Sequence, residues 1–152
     1  MATTTATLSI SSPDLTPGSP LSISASATLT KAGITDGLTQ VESGVISVVT
    51  GTEYRLGPLA TEMASDAHDI SSYLYICNTT TEDATYYIDW GINETMIGRL
   101  YAGDWMFFPW DADVVDLDAN DSAVEARAYT HDVTLEYCLF HNGETRPTSD
   151  DS

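Results

Sequence analysis

The strongest regularity in the chain is alternation between apolar and polar residues. In LSISASATL, residues 21–29, Leu21, Ile23, Ala25, Ala27 and Leu29 take every second position and Ser or Thr fills the rest. A period of two puts the apolar set on one side of an extended strand and the hydroxyls on the other. Residues 7–11, TLSIS, repeat the pattern, and the intervening SPDLTPGSP carries three prolines. Proline cannot donate to a ladder, so this stretch predicts a turn-rich connection. Further strands are predicted at 40–50, 53–57, 72–78, 84–92, 96–101, 105–109, 113–118, 123–130 and 133–141, parted by turn clusters such as NTTTED and DANDS. PLATEMASDAHDISSY, residues 58–73, is the sole helix candidate. With no segment long and periodic enough for a crossover helix, the pattern predicts an all-β, antiparallel sandwich or barrel.

The length of 152 residues suits one domain, placed at 1–141. The stretch NGETRPTSDDS, 142–152, has no apolar anchor and is expected to be a flexible acidic tail. Charge narrows the partners. Against 23 acidic residues stand one Lys and four Arg, for a formal net charge of −18. Polyphosphates and anionic membranes are repelled by such a surface, so neither nucleic acid nor membrane is an expected partner. The acidity fits a salty environment or simply a well-hydrated surface. The N-terminal stretch MATTTATLSI has no basic or apolar signal region and no run reaches the ~20 apolar residues of a membrane span, so a non-exported protein is expected. Three sequons, at Asn78, Asn93 and Asn120, read as turn chemistry.

Asp116, Asp118 and Asn120 have the opening spacing of a calcium loop, but Asp121 stands where that loop needs glycine and Arg127 where it needs glutamate. Any ion there would gain from the crowded carboxylates between Asp104 and Asp121. His68-Asp69, His131-Asp132 and His141 lack the spacing of a metal site, and no Gly-x-Ser-x-Gly elbow occurs. No catalytic residue, metal or cofactor is expected, and the chain is read as non-enzymatic. Cys77 and Cys138 sit mid-strand among apolar residues, as free thiols or as a cross-strand disulfide. Trp90 shares an alternating face with Tyr86, Ile88 and Ile92 and is expected in the core.

The densest feature is LYAGDWMFFPWDADVVDLDAND, residues 100–121, which holds two of the three Trp and two of the three Phe. Trp105, Phe107 and Pro109 share one face of a strand there, and Met106, Phe108 and Trp110 share the other. A strand apolar on both sides is central between layers or is covered by another subunit. Subunit contact, plain core and a glycan-stacking platform all fit. Tyr101, Trp105, Met106, Phe107, Phe108, Pro109 and Trp110 are therefore the candidate interface residues.

Between residues 72 and 141, LYICNTT, YYIDWGI, IGRLYAGDWMFFPW, AVEARAY and VTLEYCLFH follow one another in a pattern that resembles small virion structural proteins of tailed viruses. The matching residues are Asn78, Arg99, Leu100, Gly103, Asp104, Pro109, Glu136 and Tyr137. The resemblance implies a jelly-roll-like β-sandwich, a homo-trimer, and a place on the capsid surface of a virion assembled in the host cytoplasm. It implies the major capsid protein or other virion proteins as partners, with capsid decoration or cementing as the role. A tail, fibre or glycan-binding module is the alternative. It brings no catalytic residues.

Overall fold

The computed structural model describes residues 4–13, 21–29, 40–55, 71–92, 95–111 and 124–141. Ten strands occur among them: β1 (Thr4–Ser12), β2 (Leu21–Leu29), β3 (Gln40–Val48), β4 (Glu53–Arg55), β5 (Ser71–Asn78), β6 (Tyr87–Ile92), β7 (Thr95–Tyr101), β8 (Trp105–Asp111), β9 (Val124–Arg127) and β10 (Val133–His141). Every pairing is antiparallel. β3 to β10 form two four-stranded sheets in the orders β3-β10-β5-β8 and β4-β9-β6-β7. This distribution of eight strands over two sheets is that of a jelly roll, the double-sheet arrangement of two Greek keys. The remaining pair, β1 and β2, forms a separate two-stranded arm.

Alternation decides what each sheet buries. In β5, Leu74, Ile76 and Asn78 are buried while Tyr73, Tyr75 and Cys77 are half-buried and point away. β10 buries Val133, Leu135 and Leu139, and β6 and β7 contribute Ile88 and Leu100 from the other sheet. Trp90 of β6 stacks on Phe108 of β8 across the layers, with ring centroids 5.7 Å apart. Trp90 thus joins the core as expected, packing against it with Tyr86, Ile92 and Met106. It can lie flat only because its β7 partner is Gly98, where a Cβ would come within 2.6 Å of the indole nitrogen.

The first strand is longer than its sequence echo, running from Thr4 rather than Thr7. Of the helix candidate 58–73, the last three residues open β5, and the rest lies outside the described residues. The strand predicted at 113–118 and the tail 142–152 also lie outside them.

Candidate interface surface

The register assigns the outer side of β3-β10-β5-β8. Tyr73, Tyr75 and Cys77 of β5 oppose Pro109, Phe107 and Trp105 of β8, and Phe140, Cys138 and Glu136 of β10 on the other flank. Val41, Ser43 and Val45 of β3 continue the same side beyond β10. The rings interlock diagonally. Tyr73 stacks on Phe107 at 5.5 Å, Tyr75 tilts against Trp105 at 6.4 Å, and Phe140 meets Phe107 edge-on at 6.3 Å. The first two pairs are diagonal neighbours on adjacent strands, within reach of aromatic side chains on one sheet face, and the third reaches over β5 from β10 to β8. Even so, Trp105 is 55% exposed, Val41 57% and Val45 69%. A soluble chain rarely leaves a contiguous apolar surface of this kind uncovered without a use for it.

The face is also nearly free of charge. Glu136 is the one carboxylate among its described side chains. The Tyr75 hydroxyl is pushed up to about 12 by its hydrogen bond to Cys77 and by burial. Burial, with the Glu136 carboxylate adding to it, raises the Cys138 thiol. Both groups are therefore neutral near neutral pH. Cys77 and Cys138 are free thiols. The register explains why: Cys77 opposes Glu136 and Cys138 opposes Tyr75, so the cysteines are offset by two residues along the ladder rather than facing each other.

The seven candidate interface residues are split by the fold. Trp105, Phe107 and Pro109 look outward with the aromatic face. Met106 and Phe108 turn inward and pack on the core, so they are not available to a partner. Tyr101 lies on β7, in the other sheet, where its ring meets Tyr87 edge-on at 5.6 Å. Trp110 opposes Ser72 in the ladder, and its side chain lies outside the described residues. Tyr73, Tyr75, Phe140, Val41 and Val45 belong to the face and were missed. Their signal was present in the alternation of SYLYICN and VTLEYCLFH, but only the strand order puts them beside Trp105 and Phe107.

Next to this face stands the β1–β2 arm. Its root and the rings of Tyr73, Tyr75, Trp105, Phe107 and Phe140 enclose a groove of ≈ 560 Å³. The arm's two sides differ completely. Ala6, Leu8 and Ile10 face Ala27, Ala25 and Ile23 across the ladder on one side, and Thr5, Thr7, Ser9 and Ser11 face Thr28, Ser26, Ser24 and Ser22 on the other. Leu29, at the root, is buried.

Of the residues that resemble virion proteins, Asn78, Leu100, Gly103 and Asp104 meet in a hydrogen-bonded junction. Asn78, fully buried, donates from its side-chain amide to the carbonyl of Leu100 at 3.1 Å and that of Tyr86 at 3.3 Å. Its side-chain oxygen accepts from the Thr80 amide at 3.1 Å. Its backbone amide donates to Asp104, and its carbonyl accepts from Gly103. Gly103 has a φ of +88° within the turn closed by the Asp104 amide on the Tyr101 carbonyl, a conformation that favours glycine. The arrangement satisfies a buried polar side chain and locks the end of β5 to the β7–β8 turn.

Among the described residues, no three His, Cys, Asp or Glu side chains converge on one point as metal ligands would. His131 stacks on Tyr86 with centroids 4.0 Å apart, and Asp132 accepts from the amide and hydroxyl of Thr50, both at 2.8 Å. This pair ties two loops together. Thr50 holds the Asp132 carboxyl below the usual carboxylate range. His68, Asp69, Asp116, Asp118, Asn120 and Asp121 lie outside the described residues.

No family model matches the sequence, and no curated relative does. Among solved structures, the chain is similar to the cupin domain of Schizosaccharomyces pombe Cnp3, with 12% identity and a TM-score of 0.35 over 88% of this chain and 83% of that one. The jelly-roll assignment rests on the strand order and not on that similarity.

Proposed function

We propose that the protein is a non-enzymatic structural subunit that decorates or cements a viral capsid shell and works through subunit contacts made by the outer face of β3-β10-β5-β8. The observation that carries this reading is the uncharged aromatic surface of Tyr73, Tyr75, Trp105, Phe107 and Phe140 on a chain of net charge −18. Long-range repulsion between such chains favours association only where charge is missing, and this face is such a place. The likeness of residues 72–141 to small virion proteins directs the reading to a capsid surface, with the major capsid protein or other virion proteins as partners. A subunit that binds the assembled shell and not its dispersed parts shifts the balance toward assembly by mass action, about 2.7 kcal/mol per site at a hundredfold excess over Kd.

Quantitative mass spectrometry of purified virus particles tests the proposal. A copy number near that of the major shell protein is expected. A few copies per particle would move the protein to the tail or a fibre, and its absence would overturn the virion reading. The second reading, a glycan-binding module, draws on Trp105, more than half exposed beside Tyr75 as a flat stacking surface. Binding on a glycan array that disappears with Trp105→Ser would favour it.

A further inference from the structure

Two apolar surfaces of the chain meet too little of their own molecule. One is the far half of the β1–β2 arm. Leu29 at the root is 4% exposed, whereas Ile10 and Ile23, opposed to each other beyond the residues that line the groove, are each 44% exposed on the apolar side of the arm. A lone two-stranded hairpin is marginal in water at best and needs a further layer against its apolar side. The other surface is the part of the aromatic face that the arm's root leaves open, marked by Val41 and Val45.

Charge selects the occupant. Thr4–Ser12 and Leu21–Leu29 together contain no charged residue, in a chain with 23 acidic ones. Copies of this protein carry a net charge of −18 each and repel one another, and neither the arm nor, Glu136 apart, the described side chains of the aromatic face add to that repulsion. The arm's root and the rings of Tyr73, Tyr75, Trp105, Phe107 and Phe140 line one groove in the same chain, so an apolar arm side and the aromatic face already stand next to each other in the molecule. We infer that the far half of the β1–β2 arm of one copy packs across the open part of the β3-β10-β5-β8 face of a second copy, and that the protein self-associates through these arms. This rests on the proposed use of the aromatic face as a subunit contact and names what covers it. Arms exchanged in one direction close into a ring if the rotation allows, and reciprocal arms give a two-fold dimer.

Sedimentation equilibrium of the full chain, with no virus particles present, tests this apart from the capsid reading. The unmodified protein is expected to sediment as a closed oligomer. Ile10→Asp with Ile23→Asp, a pair directly opposed in the arm, is expected to weaken self-association about a hundredfold or more. Ser9→Asp with Ser24→Asp adds the same charge on the hydroxyl side of the arm and is expected to leave the oligomer intact. Val45→Asp, on the receiving face, is expected to dissociate it. Far-UV circular dichroism and Trp fluorescence are expected to show the sandwich folded in all three variants. A monomer at every concentration would overturn the inference, including the case in which that monomer still binds particles and the shell protein is what covers the face. Equal dissociation by the serine pair would also overturn it, since charge alone would be responsible. So would an oligomer that survives Val45→Asp, which would put the arm on some other surface.

Discussion

On the outer side of β4-β9-β6-β7, Glu53, Arg127, Asp89 and Arg99 stand opposite one another strand by strand, forming a row that alternates in sign across the whole sheet. Arg127 pairs with Glu53, and Arg99 grips Asp89 through two nitrogens, at 2.6 and 3.1 Å, while lying 3.7 Å over the ring of Tyr87. The same positions on the other sheet hold Tyr73, Tyr75, Phe107, Trp105 and Cys138, with a single described carboxylate at Glu136. One face settles its accounts internally and can be left in water. The other has apolar area that only a further layer removes from water. Three of the chain's five basic side chains are Arg99, Arg127 and Arg55, all on β4, β7 or β9. Among the described residues, the basic ones thus lie on the sheet with the alternating charge row, and the opposite sheet is the one proposed for contact.

The most direct way to break this comparison is to cross from one side of a strand to the other. Ile76→Ala, on the inner side of β5, is expected to cost about 3 kcal/mol in urea unfolding, because a fully buried side chain leaves a cavity. Trp105→Ser, on the outer side of β8, is expected to cost less than about 1 kcal/mol in the free protein while abolishing assembly. Equal losses for the two would make the outer face ordinary core.

Cys77 and Cys138 provide a footprint of the same face. Alkylation of both thiols, followed by mass spectrometry, is expected to slow about tenfold or more in the assembled state relative to the dissociated chain. Unchanged rates would place the contact elsewhere.

The charged face is expected to respond to substitution weakly and in a salt-dependent way. Arg127→Gln removes a partly buried partner of Glu53 and is expected to lower stability by about 1 kcal/mol at low salt. Arg99→Gln, whose side chain is more exposed, is expected to cost less. Both penalties shrink as screening increases, whereas self-association through the aromatic face strengthens, since the repulsion of −18 per chain is screened first. Melting temperatures and sedimentation over a salt series separate the two trends.

The smallest expected effect is a pH dependence at the loops. Asp132 has its carboxyl lowered by hydrogen bonds from the amide and then the hydroxyl of Thr50, and Asp83 has its carboxyl lowered in the same way by Thr85. A depressed folded-state value means the ionised form is the stabilising one. The contribution is present above the ordinary carboxylate range and is lost as pH falls through the folded value, from about pH 5 downward. Asp132→Asn is expected to remove its share of this acid sensitivity, seen as a shallower fall in melting temperature with pH.

The class of fold was legible because period-two alternation is a local property, written into each strand without reference to any other. A core Trp90 and an apolar strand with two greasy sides were legible for the same reason, whereas the choice between free thiols and a cross-strand disulfide was left open until the β10–β5 register offset Cys77 from Cys138. The proposed contact surface was only half legible. Met106 and Phe108 look as suited to a partner as Trp105 and Phe107 do, and nothing in WMFFPW says which set faces the second sheet. That choice is made by the pairing of β8 with β5, in which Ile76 meets Met106 and Tyr75 meets Phe107. Tyr101 illustrates the opposite error: four residues from Trp105 in the chain, it belongs to the other sheet, because Gly103 reverses the chain between them.

By itself, then, the sequence determined that this chain makes short antiparallel strands, that its surface is strongly acidic, and that its arm has one apolar and one hydroxyl side, all consequences of residue type and spacing. The tertiary structure alone decided that β3, β10, β5 and β8 lie side by side in that order. Side chains from four distant stretches become one aromatic face with a single described carboxylate only through that order, since non-local pairing, and not any property of a single strand, sets which residues are neighbours.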